Sequence, residues 1–184
     1  MKARIALAAI LAAVSTPAMA QTVQGTVSVD GSVAGRCVLG PPSLASVPLG
    51  TLINTSGVRA GRLTTIASQA INFPGSWCNF ANTRVTVTAN ALLAADATAP
   101  AAGFARSVNF TSTVTTWATT SATVTTAASA SGATPSASAP GGTQPAPKLT
   151  DLTLTLNNFA VPSDALLVTG NYAGAVTITL GPAS

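Results

Sequence analysis

The stretch Leu149-Thr150-Asp151-Leu152-Thr153-Leu154-Thr155-Leu156 decides the fold class of this chain. Leucines at 152, 154 and 156 alternate with threonines at 153 and 155, which is the period of a strand with one buried face and one wet face. The same alternation returns in Arg84-Val85-Thr86-Val87-Thr88-Ala89 and in Val176-Thr177-Ile178-Thr179-Leu180. Near the start, Val27, Val29 and Val33 alternate with Thr26, Ser28, Asp30 and Ser32, and Cys37 shares the valines' parity. That run is expected to form a first strand pointing the valines and the cysteine into one core.

Working outward from these strands, Pro41-Pro42 ends the first, and Leu44 to Leu52, carrying Pro48 and Gly50, reads as a short edge strand. A further strand is expected between Asn54 and Gly75, followed by Trp77-Cys78 and a turn at Asn79 to Asn82. Phe104, Val108, Phe110 and Val114 continue an even-numbered apolar face. Thr119 to Pro147 falls to Ala, Ser, Thr, Gly and Pro, and is expected to be a long loop after a short strand at Thr123 to Thr126. Leu166 to Thr169 reads as another strand, and Gly170-Asn171 as a turn before the last. Many short strands, frequent turns and no amphipathic helix describe an antiparallel β-sandwich in a single domain, 21–184, with a closed barrel as the alternative.

The first twenty residues predict export. Lys2 and Arg4 precede an apolar run from Ile5 to Val14, Pro17 breaks it, and Ala18-Met19-Ala20 supplies the small residues of a cleavage site. The mature chain is expected to begin at Gln21, with no later apolar run long enough for a transmembrane helix. It is therefore expected in the periplasm, on the outer surface or outside the cell. Removing Lys2 and Arg4 lowers the net charge from +4 to +2, and the remaining cations are scattered, so no nucleic-acid footprint is present. Charged residues make up 7% of the chain, against roughly a quarter in ordinary domains. Ser and Thr supply the polar surface, leaving little charge to repel a neighbouring copy. Two cysteines in an exported chain, Cys37 and Cys78, read as one disulfide.

Reactive chemistry is sparse. There is no histidine, and all four acids are aspartates, Asp30, Asp96, Asp151 and Asp164. Triads, Cys–His pairs and histidine-ligated zinc sites are thereby excluded. The aspartates sit in turn, loop or strand-surface contexts and read as solvated carboxylates. No glycine-rich loop opens a helix to cradle a phosphate. No enzyme activity, cofactor or metal is expected. Trp77, Trp117 and Tyr172 are candidate platforms for a sugar, which would make the chain a secreted polysaccharide-binding module. Trp77 is read as a core plug first, although it must face away from Cys78 if the strand is regular.

Four segments carry a family resemblance: the strand ending in Cys37, Val47-Pro48-Leu49-Gly50, Cys78 leading into Arg84–Ala89, and Gly170-Asn171-Tyr172 through Leu180. Together they resemble the secreted spore coat protein U and chaperone–usher pilin group. The resemblance implies an immunoglobulin-like sandwich in an exported structural or adhesive surface subunit. It also implies a vacant strand position filled by β-augmentation, with a periplasmic chaperone, an outer-membrane usher and other subunits as partners. The candidate assembly strands are Val27, Val29 and Val33 at one end and Val176, Ile178 and Leu180 at the other. Because Val27 to Val33 are expected in the first strand, only Gln21 to Gly25 would be left to donate, a departure from the pilin pattern that favours the spore coat type.

Overall fold

The structure, a computed structural model, describes residues 21–95, 98–135 and 137–183. The expected export signal and Asp96 lie outside the described residues. The chain divides into two units, Met1–Val33 and Ala34–Ser184.

Among the described residues the second unit holds ten strands. They are β1 (Cys37–Val38), β2 (Gln69–Cys78), β3 (Thr83–Ala94), β4 (Phe104–Ala105), β5 (Ser107–Thr115), β6 (Ala122–Thr125), β7 (Ala137–Pro140), β8 (Lys148–Ala160), β9 (Leu166–Leu167) and β10 (Tyr172–Pro182). Among the described residues the only helical element is a 3-10 turn at Pro162–Asp164. Hydrogen bonding runs β1-β2-β8-β5-β3-β10, with β6 added to β5 and β7 to β3. Every pair is antiparallel except the short β4–β9 pair.

Strand β5 serves both layers of an antiparallel β-sandwich. Its first residues, Ser107 and Val108, pair with Leu93 and Leu92 of β3. Its remainder lies between β8 and β6, with Thr113 opposite both Thr155 and Thr123. One layer is thus β1-β2-β8-β5-β6, and the other is β10-β3-β7. The alternation seen in the sequence places Leu152 and Leu154 of β8, Ile71 and Phe73 of β2, and Val85 and Val87 of β3 in one core. Leu152 and Val87 are fully enclosed, and each such side chain contributes about 1.5–3 kcal/mol relative to exposure. The expected disulfide joins Cys37 to Cys78 directly across the β1–β2 pair.

Three expectations need correction. Val27 to Val33 form no strand, and Val23, Val27, Val29 and Val33 are 85–92% exposed. Alternation supplied the side-chain pattern, but a strand also needs a neighbouring ladder, and β1 pairs with β2 only over Cys37 and Val38. Leu44 to Leu52 is likewise irregular rather than an edge strand; Pro48 removes a ladder donor within it, and Pro41-Pro42 do the same just before it. The region from Asn54 reaches strand geometry only at Gln69, where β2 begins.

The 119–147 segment is not one loop. The short strand expected at Thr123 to Thr126 is β6, paired with β5, and the stretch after it holds a further strand, β7, paired with β3. Low side-chain bulk suggested that ordering would go uncompensated, but here backbone pairing and close approach replace bulk. A Cβ on Gly141 would come within 3.0 Å of the Ala122 nitrogen. The small residues allow β6 and the Gly141-Gly142 turn to lie against each other.

Candidate functional site

Strand β10 pairs with β3 on one side and, among the described residues, carries no strand on the other. Edge strands present a row of unpaired N–H and C=O groups. Solitary proteins guard such edges with lysines, inward charges or prolines, and β10 has none of these before its last residue, Pro182. Strand β8, the other uncharged candidate, is interior between β2 and β5.

Beside the β10 edge a groove of about 1020 Å³ opens between the two layers. Its floor is apolar: Ile71 and Phe73 from β2, Leu154 and Leu156 from β8, and Phe110 from β5. The β10 wall presents Tyr172, Val176 and Ile178. The opposite wall is the irregular segment from Leu39 to Ile53, which contributes Leu39, Val47, Leu49 and Leu52. Leu156, Phe159, Val176 and Ile178 remain only half-buried although they pack on the core.

The sequence makes this groove in three ways. First, β1 stops after two residues, because Gly40 is buried against β2, donates its N–H to Ser76 Oγ at 3.0 Å, and is followed by two prolines. A Cβ on Gly40 would overlap the Pro74 carbonyl. Second, alternation keeps Val176 and Ile178 turned inward along β10 while Thr177 and Thr179 face out. Third, a register irregularity between Ala173 and Ala175 sets the upper edge of β10. Gly174 fits there because a Cβ would meet the Asn90 oxygen at 2.8 Å and the Ala91 oxygen at 3.0 Å.

The site residues named from sequence separate into groups. Val176 and Ile178 line the groove, whereas Leu180 packs against the core just beyond it. Val27, Val29 and Val33 lie in the exposed arm, so the whole of Gln21 to Val33 is free of intrachain strands, not only Gln21 to Gly25. Trp117 is buried at 3% exposure, with the Lys148 ammonium 6.0 Å over its ring, and is no platform. Lys148 Nζ donates to the Thr116 and Trp117 carbonyls at 2.6 and 2.7 Å. Tyr172 is half-buried in the groove wall and its hydroxyl donates to the Val168 carbonyl at 2.9 Å. Burial pushes its phenol pKa up, with Arg106 acting in the opposite direction. Trp77 is not a core plug: Ile71, Phe73, Ser76 and Cys78 are buried on one face, and Trp77 lies half-buried on the other.

The groove wall from Leu39 to Leu52 was missed as part of a site. Its hydrophobic residues were legible, but their job as a wall rather than a strand was not.

The strongest charged cluster is elsewhere. Asp164 accepts from Arg59 Nη1 and Nη2 at 3.2 and 2.9 Å, and Arg62 also reaches its carboxylate and its backbone carbonyl. The hydrogen bonds from Arg59, aided by the charges of Arg59 and Arg62, hold the Asp164 carboxyl below its ordinary pKa. Ser163 and Asp164 both have positive φ, so the turn aims the carboxylate at the two arginines. Among the described residues no group of three or more Cys, Asp or Glu side chains could hold a metal ion. No family model, curated protein or solved structure matches the chain.

Proposed function

We propose that this chain is an exported structural subunit of a cell surface, assembled by strand donation. One observation carries the reading: an apolar groove beside an unpaired strand edge, in a chain that also carries an exposed, alternating valine arm. The arm Gln21–Val33 of one copy enters the groove of the next and pairs with β10. Its backbone satisfies the open edge, and valines on one of its faces cover the apolar floor. The low charge of the chain favours close packing of copies.

An open groove is a hazard before assembly, since it exposes apolar side chains and unpaired backbone together. A temporary strand supplied during export would protect it, the part that the resemblance gives to a periplasmic chaperone working with an outer-membrane usher. An immunoglobulin-like ancestry belongs to the same proposal.

The test is the size distribution of the mature chain by light scattering. Growth into multimers is expected, and an excess of a synthetic Gln21–Val33 peptide should cap it. A peptide with Val27→Ser and Val29→Ser should cap poorly. A monodisperse monomer at every concentration, with thermal stability indifferent to the peptide, would remove the proposal.

A further inference from the structure

The outer face of the β1-β2-β8-β5-β6 layer is built unlike an ordinary solvated sheet. Across its lower end the register sets Val38, Trp77 and Leu149 side by side on three neighbouring strands. Leu149 is 72% exposed, and Trp77 is half-buried with its indole nitrogen making no hydrogen bond among the described residues. Directly opposed residues on adjacent strands stand about 4.5–5.5 Å apart, so the three form one continuous apolar strip.

Above that strip the face becomes a grid of hydroxyls and one amide. Asn72, Thr153 and Thr115 make one row, and Thr155, Thr113 and Thr123 make the next. Strands lie about 4.7–4.9 Å apart and alternate residues about 6.6–6.8 Å apart, which repeats the polar groups on a regular lattice. Hydrogen bonds hold the side chains in place: Thr153 donates to Asn72 Oδ1 at 3.1 Å, and Thr123 donates to Thr113 Oγ1 at 3.1 Å. Each hydroxyl can donate once and accept twice, so the grid keeps capacity for an outside ligand. The one charge among these rows is Asp151, whose Oδ1 already accepts the Gly75 N–H at 2.7 Å.

We infer that this face binds a neutral polysaccharide, with Trp77 stacking on a sugar ring and the threonine rows bonding its hydroxyls. The chemistry of the face selects that class. A pyranose ring offers an apolar C–H face to an indole and equatorial hydroxyls to a polar grid. A polymer repeats both at intervals along the strands. The rows Asn72–Thr153–Thr115 and Thr155–Thr113–Thr123 hold no cation to attract an anionic polymer or a phosphate backbone. The face lies on the outside of the layer, away from the groove floor, so one subunit can be held in an assembly and still present it.

The experiment is co-sedimentation of the mature chain with insoluble cellulose, chitin and curdlan, with alginate beads as the charged control. Retention on at least one neutral polymer is expected, with affinity reduced about tenfold or more by Trp77→Ala and restored by Trp77→Tyr. Thr155→Lys, on the same face but outside the apolar strip, should weaken retention as well. Val176→Lys, in the groove, should block multimers yet leave single-site affinity unchanged, measured as quenching of tryptophan emission by soluble oligosaccharide. No retention on any neutral polymer, preference for alginate, or equal affinity in a folded Trp77→Ala chain would overturn the inference. A Thr155→Lys chain that changes multimer size while retention stays constant would overturn it too, by marking the face as a contact between copies.

Discussion

Removing the disulfide is the perturbation whose size follows most directly from the structure. Cys37 and Cys78 are 41 residues apart in sequence, and the chain-entropy relation gives about 4 kcal/mol for closing a loop of that length. The bond is also the main tie on β1, which has only the two-residue pairing Cys37–Cys78 and Val38–Trp77. The groove wall from Leu39 onward follows directly on that tie, with Gly40 and Ser43 adding hydrogen bonds to β2. Cys37→Ala with Cys78→Ala should therefore lose about 4 kcal/mol in urea unfolding, or roughly 8–16 °C in Tm for a unit of this size. The reduced wild-type chain should match the double variant closely, because both lose the same constraint. A loss under about 1 kcal/mol would refute the reasoning, since the loop would then be held closed by something other than the bond.

Three more outcomes follow from packing and charge. Leu152→Ala, at a fully enclosed position in a central strand, should cost about 2–5 kcal/mol in the same assay. Gly40→Ala should disrupt the β1–β2 junction, because the new methyl overlaps the Pro74 carbonyl; loss of protection at the Gly40 amide in hydrogen exchange would register it. Asp164 should titrate below its ordinary 3.8, with Arg59→Ala moving it back up by NMR. Its folded pKa is depressed, so the linked stabilisation is present above the unfolded value and disappears as pH falls through the folded one. Because the ion pair is exposed, salt should weaken it.

Much of the sandwich was legible because period-two alternation reports burial on one face directly. Val85 and Val87, Leu152 and Leu154, and Val176 and Ile178 were each placed inward by that signal, and each packs on the core. The arm shows the limit of the same signal. Val27, Val29 and Val33 alternate as well as any strand in the chain, yet alternation says nothing of which chain supplies the ladder. Leu44 to Leu52 failed for a different reason: its apolar residues face a groove, which needs hydrophobic side chains but no hydrogen-bonded neighbour. Trp77 was decidable by parity once Cys78 was fixed inward, and preferring the core for an aromatic residue overrode the better argument. In the 119–147 segment the alternation at Thr123 to Thr126 announced β6, but composition hid β7, whose order comes from backbone pairing rather than from large side chains.

Amide hydrogen exchange on assembled material addresses the groove-and-arm account most directly. Slow exchange is expected along Gln21–Val33 and at the Tyr172–Gly181 amides that do not bond β3, and both sets should become fast together in a chain lacking the arm. An arm that exchanges at the unprotected rate inside a stable assembly, or a β10 edge whose protection ignores the arm, would contradict it.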